Sequence, residues 1–224
     1  MVNLTNNLAS RRSLLAARET EHPGLAGLLI DMQSTYTKKM YVYDQDDYFD
    51  HDVSYDEYHD TKDFSAHDKD SIIRSQIEAI RYFAKTNIPI INILYESGRT
   101  IKELRKELYK VPTVISFEKS GYNAFNSGRK YFFESYKDGY LKKILLDMNI
   151  KDIFVMGIYA SNCAYDTALG GIRAGFNVFT ADTVIADAKG LLDSWTDKRR
   201  AEYEKDGVKY FNTHSDFIKS LKKK

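Results

Sequence analysis

Short apolar runs alternate with amphipathic segments along the chain, a pattern that predicts a parallel sheet covered by helices. Gly24 to Ile30 (GLAGLLI) is nearly all apolar, as a strand buried on both faces should be. Ile72, Ile73, Ile77, Ile80 and Phe83 recur at helical spacing, and Asn87-Ile88-Pro89 then stops the helix. Pro89 to Tyr95 (PIINILY) reads as the second strand, residues 100–109 as a charged helix, and Thr113 to Phe117 as the third strand. A stripe of Tyr140, Leu141, Ile144, Leu145 and Met148 precedes a fourth strand, Ile153 to Gly157. A helix over Cys163 to Ala174 should end at Gly175, followed by a fifth strand, Phe176 to Ala181. A short sixth strand around Val208 to Phe211 leads to a final helix from about Thr213, carrying Phe217, Ile218 and Leu221. The expected fold is α/β, a three-layer α/β/α Rossmann-like sandwich with a mostly parallel sheet of about six strands.

Two segments stand outside this alternation. Residues 3–20 read as an amphipathic N-terminal helix with Leu4, Leu8, Leu14 and Leu15 as apolar positions. Ser10-Arg11-Arg12-Ser13-Leu14-Leu15 has the look of a twin-arginine export signal, but Arg18, Glu19 and Glu21 interrupt the apolar run that should follow. Between Tyr41 and Asp70, eleven acidic residues face two lysines, with five tyrosines and three histidines interleaved. This insertion reads as a solvated excursion or as a lid over a site for a polar or cationic substrate. His51, Asp52, His59 and His67 within it match no established metal-ligand spacing. With no repeat and no linker, residues 1–224 read as a single domain.

Composition narrows the function classes. A net charge of +1 gives no global attraction to nucleic acid or to an anionic membrane. No stretch approaches the roughly 20 apolar residues needed to span a bilayer. One cysteine excludes a disulfide framework and is compatible with a reducing compartment, so a cytoplasmic protein is expected.

That cysteine, Cys163, follows strand four and opens a helix. A thiol there feels the positive end of the helix dipole, which favours the thiolate, and unpaired backbone N–H groups point outward beside it. The alternative is an inert buried cysteine. Asp31 ends the aliphatic first strand at the same sheet edge, where it could be a general base or simply cap the next turn. Lys119, just past strand three, could stabilise both groups or serve only as a surface cation.

Taken together, Asp31, Lys119 and Cys163 at the carboxyl ends of strands one, three and four resemble the isochorismatase-like cysteine hydrolase superfamily. The resemblance runs from about Gly24 to Asp187. Leu28-Leu29-Ile30-Asp31-Met32-Gln33 is similar to the family's opening motif, and Lys119 with Tyr122, Ala124 and Phe125 to its lysine motif. Gly157 through Cys163, Thr167-Ala168, Gly175-Phe176-Asn177-Val178 and Ala181-Asp182 are similar to its cysteine segment. The resemblance implies Cys163 as nucleophile, Asp31 as base and Lys119 as their electrostatic partner. It also implies a cis peptide between Ile158 and Tyr159, with the backbone N–H groups of Tyr159 and Cys163 as oxyanion hole.

The expected reaction is hydrolysis of a C–N bond in a small amide, ureido or carbamoyl compound through a thioester. Alternatives are vinyl-ether hydrolysis of the isochorismatase type, or a non-catalytic interaction protein on the same fold. Tyr95, Glu96 and Arg99 leave strand two at the correct edge to line the pocket, with Phe125 and Tyr159 as further lining candidates. The metal-binding nicotinamidase branch carries histidines after strand two; here Leu94-Tyr95-Glu96-Ser97-Gly98-Arg99-Thr100 has none. Nicotinamidase chemistry, a metal and any cofactor are therefore not expected. The partners expected are a small-molecule substrate and, from the resemblance, further copies of the chain. A nucleotide-binding Rossmann protein fits less well, because Asp31-Met32-Gln33 replaces a glycine-rich turn.

Overall fold

Strand β1 (Leu25–Ile30) is buried along its whole length, which is why it contains only aliphatic residues and glycine. The computed structural model to which it belongs describes residues 20–33, 69–95, 98–126, 130–131, 134–135, 139–187 and 192–223. The expected N-terminal helix and the acidic insertion lie outside these residues, except at their ends; Lys69 and Asp70 open a helix.

In chain order β1 is followed by α1 (Lys69–Lys85), β2 (Ile90–Tyr95), α2 (Lys102–Leu108) and β3 (Val114–Lys119). Then come the two-residue strands β4 (Lys130–Tyr131) and β5 (Glu134–Ser135), α3 (Tyr140–Asp147), β6 (Asp152–Ile158) and α4 (Cys163–Ala174). The chain continues through β7 (Asn177–Ala181), a 3-10 turn (Asp182–Val184), β8 (Ile185–Ala186), α5 (Leu192–Lys205), β9 (Lys209–Phe211) and α6 (His214–Leu221).

The main sheet has the order β3-β2-β1-β6-β7-β9, with β8 also paired to β6, and its pairings are parallel. β7 accompanies only the first half of β6, and β8 takes its place beside Gly157 and Ile158. β4 and β5 pair with each other, antiparallel and apart from this sheet. Among the described residues the sheet thus holds the six expected strands and, beside them, the two-residue β8. β8 escapes sequence reading because two residues are too short to carry a period.

Helices cover both faces. On one, Phe83 of α1 meets Phe154 edge-on at 6.0 Å, and Phe217 of α6 stacks on Phe154 at 4.1 Å. On the other, Gly171 of α4 lies against Ile153 and Val178, and Tyr140 of α3 meets Phe117 edge-on at 5.8 Å. The fold is the expected three-layer α/β/α arrangement. Helix α4 ends where its sequence predicts, at Gly175 with φ 95°. Helix α5 has no counterpart in the hydrophobic pattern, because the side chains it buries include Arg199 and Tyr203.

The strand order reverses between β1 and β6: one half of the sheet grows outward through β2 and β3, the other through β7 and β9. Such a switch point opens a crevice at the carboxyl ends of the two central strands, where ligands bind in open α/β sheets. Asp31 follows β1 there, and the segment leading to Cys163 follows β6.

Candidate active site

At this edge the two central strands come unusually close. Ile30 pairs in register with Gly157, and a Cβ at Gly157 would fall 2.1 Å from the carbonyl oxygen of Ile30. Glycine is also the residue that accepts its φ of 134°. The next residue on β1, Asp31, leaves the strand with φ 52°, a left-handed conformation that Asp tolerates better than most residues.

Lys119 is the last residue of β3, not a loop residue beyond it, and its side chain is fully buried. Its Nζ lies 2.7 Å from Oδ2 of Asp31, donates to the carbonyl of Gly121 at 3.0 Å and sits 4.9 Å from the centroid of the Tyr95 ring. Two charges removed from water cost several kcal/mol each unless paired at close range; here each supplies the other's partner.

Cys163 opens α4 as expected and is buried at 7% exposure. Oδ1 of Asp31 is buried and lacks a hydrogen-bond partner of good geometry. The Cys163 thiol is near enough to the Asp31 carboxyl for the two to shift one another's protonation. Burial raises the pKa of Asp31 above its usual value, and the Lys119 charge opposes that rise. Burial, followed by the Asp31 charge, pushes the Cys163 thiol up to about 12, again against the pull of Lys119. The helix dipole alone suggested a lowered thiol pKa; burial and the neighbouring carboxylate reverse the direction. What the arrangement can do is pass a proton between two groups that both resist charge, beside a fixed cation.

The backbone before Cys163 turns sharply. The Ile158–Tyr159 peptide is cis, as the resemblance implied. The carbonyl of Tyr159 accepts from the N–H groups of Asn162 at 3.1 Å and Ala164 at 3.0 Å, winding the chain into α4. The N–H of Cys163 has no acceptor among the described residues.

Two loops close the rim. Gln33 bonds both backbone groups of Tyr95, donating to its carbonyl at 2.9 Å and accepting from its N–H at 2.7 Å. The lysine-motif loop docks on α4, where the Thr167 hydroxyl accepts from the N–H of Ala124 at 3.1 Å.

The remaining expected lining residues divide. Tyr95 lies beside Lys119, and Tyr159 is half-buried next to the turn into α4. Phe125 is instead a core residue, buried at 5% exposure and packed on Phe176 at 5.8 Å. Arg99 is exposed and lines a cavity of about 360 Å³ with Asn92, Leu94, Thr100, Arg105 and Ser116, in which none of Asp31, Lys119 and Cys163 takes part. Glu96 lies outside the described residues, as do His51, Asp52, His59 and His67. Among the described residues, no group of three or more His, Cys, Asp and Glu side chains is placed to hold a metal ion. No described helix is long and apolar enough to cross a membrane.

An acid, a cation and a thiol thus gather at the switch point of a parallel α/β sheet. The isochorismatase domain model matches residues 26–194, and the chain belongs to the isochorismatase family of hydrolases. A comparison with curated protein sequences finds no match. Among solved structures, the chain is similar to the YcaC gene product of Escherichia coli, an octameric hydrolase of unknown specificity. The identity is 16%, over 84% of this chain and 74% of that one, with a TM-score of 0.57. It is similar to the nicotinamidase SaPncA of Staphylococcus aureus, at 15% identity over 84% and 99% of the two chains, with a TM-score of 0.57. It is also similar to N-carbamoylsarcosine amidase of Thermoplasma acidophilum, at 12% identity over 84% and 95%, with a TM-score of 0.53.

Proposed function

We propose that the protein is a cysteine hydrolase that cleaves a C–N bond in a small amide, ureido or carbamoyl compound, with Asp31, Lys119 and Cys163 as its catalytic residues. The observation that carries this reading is the buried ion pair of Lys119 and Asp31, 2.7 Å long, against a buried thiol at the switch point of the sheet. A cation–carboxylate pair is an expensive thing to bury. General-base chemistry on the adjacent thiol accounts for it.

In this reaction the sulfur of Cys163 bonds to the substrate carbonyl carbon as its proton passes to Asp31, and the C=O π electrons move onto oxygen. The N–H groups of Tyr159 and Cys163 receive that oxyanion. Asp31, whose raised pKa suits it to hold the proton, then gives it to the leaving nitrogen. The C–N bond breaks, ammonia or an amine departs, and a thioester remains. Water attacks the thioester, loses a proton to Asp31, and the thiol leaves with that proton restored. Lys119 keeps the site's charge balanced throughout.

Tyr95 and Tyr159 would border the substrate, and Glu96 and Arg99 would read its polar ends. Residues 1–224 would work as one domain in the cytoplasm, within a homo-oligomer; the octamer described for the YcaC gene product supports the last point.

The test is ammonia release from a panel of primary amides, ureido acids and carbamoyl amines, followed by intact-mass analysis of quenched reactions. Release accompanied by an acyl adduct on Cys163, both lost in Cys163→Ala, is the expected result. Turnover that survives Cys163→Ala contradicts the proposal.

A further inference from the structure

Behind the turn that leads to Cys163 lies a second buried polar group. Oδ1 of Asp187 accepts from both the backbone N–H and the hydroxyl of Ser161, each at 2.7 Å. The Tyr203 hydroxyl donates to the carbonyl of Ala160 at 2.7 Å, and the N–H of Ala160 donates to the carbonyl of Ala186 at 2.9 Å. Both backbone groups of Ala160 and the N–H of Ser161 are thus fixed from outside their own segment. Asp187 and Tyr203 are each 1% exposed.

Arg199, also 1% exposed, connects these partners to the rest of the fold. Its guanidinium lies 2.5 Å from Asp182 and 3.7 Å from Asp187, and its Nε donates to the Tyr210 hydroxyl at 3.3 Å. Tyr210 in turn donates to Asp182 at 2.8 Å. Tyr203 packs edge-on against Tyr165 of α4 at 5.0 Å and Tyr210 of β9 at 5.5 Å. Apolar side chains would dock α5 on the sheet at lower cost than a buried arginine and carboxylate. What they would not supply is directed hydrogen bonds to particular backbone atoms, and the ones present fall on Ala160 and Ser161, two of the three residues between the cis peptide and the start of α4.

We infer that Asp187 and Tyr203, with Arg199 beside Asp187, are positioning residues: they clamp Ala160 and Ser161 so that the N–H groups before and beyond that segment, those of Tyr159 and Cys163, are held for the oxyanion. This rests on the reading of Cys163 as nucleophile. None of the three is a catalytic residue: Asp187 and Tyr203 act through the backbone they hold, and Arg199 acts through Asp187, 3.7 Å away. Preorganised donors stabilise developing charge only when the surrounding structure keeps them aimed.

Two probes separate oxyanion binding from thiol reactivity. Butyraldehyde adds the Cys163 S–H across its C=O: the S–C bond forms, the thiol proton ends on oxygen, and that oxygen needs the donors. Iodoacetamide alkylates the same sulfur by displacing iodide and does not need them. The experiment measures, in the full chain at about pH 9, the butyraldehyde concentration that halves the iodoacetamide labelling rate of Cys163. Wild type is compared with Tyr203→Phe, Ser161→Ala and Asp187→Asn, each checked by thermal melt.

The expected result is protection of wild type and a requirement for about ten-fold more aldehyde in the variants, below the ~10²–10³ effect of deleting an oxyanion donor outright. Labelling without aldehyde should stay within about three-fold. Tyr203→Phe and Ser161→Ala remove single hydroxyls and decide the matter even where Asp187→Asn fails to fold. Equal protection in wild type and in these two variants overturns the clamp, and so does a labelling rate that falls in step with protection. A wild type that aldehyde does not protect overturns the nucleophile reading first, and the clamp with it.

Discussion

Lys119 and Asp31 meet at 2.7 Å with the lysine side chain wholly inside the protein and the carboxylate 5% exposed. They come from the ends of β3 and β1, with β2 between them, so the pair also ties together the carboxyl edge of that half of the sheet. Removing one partner leaves the other buried and uncompensated. Lys119→Met should therefore lower stability by about 3–5 kcal/mol and abolish turnover, whereas Lys119→Met combined with Asp31→Asn should recover part of the stability and none of the activity. Denaturant melts of the two single variants and the double variant check this; losses that simply add would show that the pair does not couple.

The approach of β6 to β1 makes a second prediction. A methyl group at Gly157 would lie 2.1 Å from the Ile30 carbonyl oxygen and 2.8 Å from its nitrogen, both backbone atoms that cannot swing away. Gly157→Ala should thus prevent folding or displace β1 and Asp31 with it. At Gly175, also in a left-handed conformation at φ 95°, a Cβ meets nothing within 4 Å. Gly175→Ala should cost only the conformational strain, about 1–2 kcal/mol. Thermal melts of both variants make the comparison, and a Gly157→Ala protein as stable as Gly175→Ala would contradict the packing described here.

Glu107 offers a pH-dependent contribution away from the site. Hydrogen bonds from Arg81 and then Lys110 lower its pKa to about 2. A carboxylate with a depressed folded-state pKa stabilises the protein above its unfolded value, and that contribution fades as pH falls through the folded value. Arg81 and Lys110 are each 60% exposed, so the effect should stay at or below about 1 kcal/mol, or about 2–4 °C in melting temperature. Glu107→Gln should show that deficit at pH 7 and approach wild type near pH 2. A deficit that grows on acidification would reverse the assigned sign.

Arg99 separates two uses of the loop after β2. It lines a cavity together with Arg105 rather than standing with Asp31, Lys119 and Cys163. If its role is to read a substrate carboxylate, Arg99→Ala should raise KM for ureido acids and leave kcat on neutral amides unchanged. Unchanged KM for both substrate classes would remove Arg99 from the substrate site.

The sequence was most legible where a residue's environment follows from its neighbours in the chain. β1 reads as a doubly covered strand because Leu25 to Ile30 contains only aliphatic residues and glycine, and α4 reads as a helix because its stop is Gly175. Asp31, Lys119 and Cys163 were legible as a group through the family resemblance, since each position alone allowed a structural reading, and Lys119 belongs to β3 itself. Properties that arise between distant segments were not legible. The direction of the Cys163 shift depends on burial and on a carboxylate over a hundred positions earlier in the chain, whereas its place on α4 alone suggests the opposite. Phe125 sits in the lysine motif, yet the core between that loop and α4 claims its ring. Helix α5 and the Asp187–Arg199–Tyr203 group escaped because arginine and tyrosine mark solvent in a hydrophobic pattern, and here both are buried.

The most direct test of the central claim is the rate of iodoacetamide labelling of Cys163 from about pH 6 to 11, in wild type and in Asp31→Asn. With the thiol pushed up to about 12 by burial and by Asp31, the wild-type rate should keep climbing through the alkaline range without a plateau. Asp31→Asn removes the opposing charge and leaves that of Lys119, so its profile should move to lower pH while its turnover is lost. A wild-type plateau at or below the ordinary thiol value of about 8.5, or a profile that Asp31→Asn leaves in place, would contradict a thiol held protonated for transfer to Asp31.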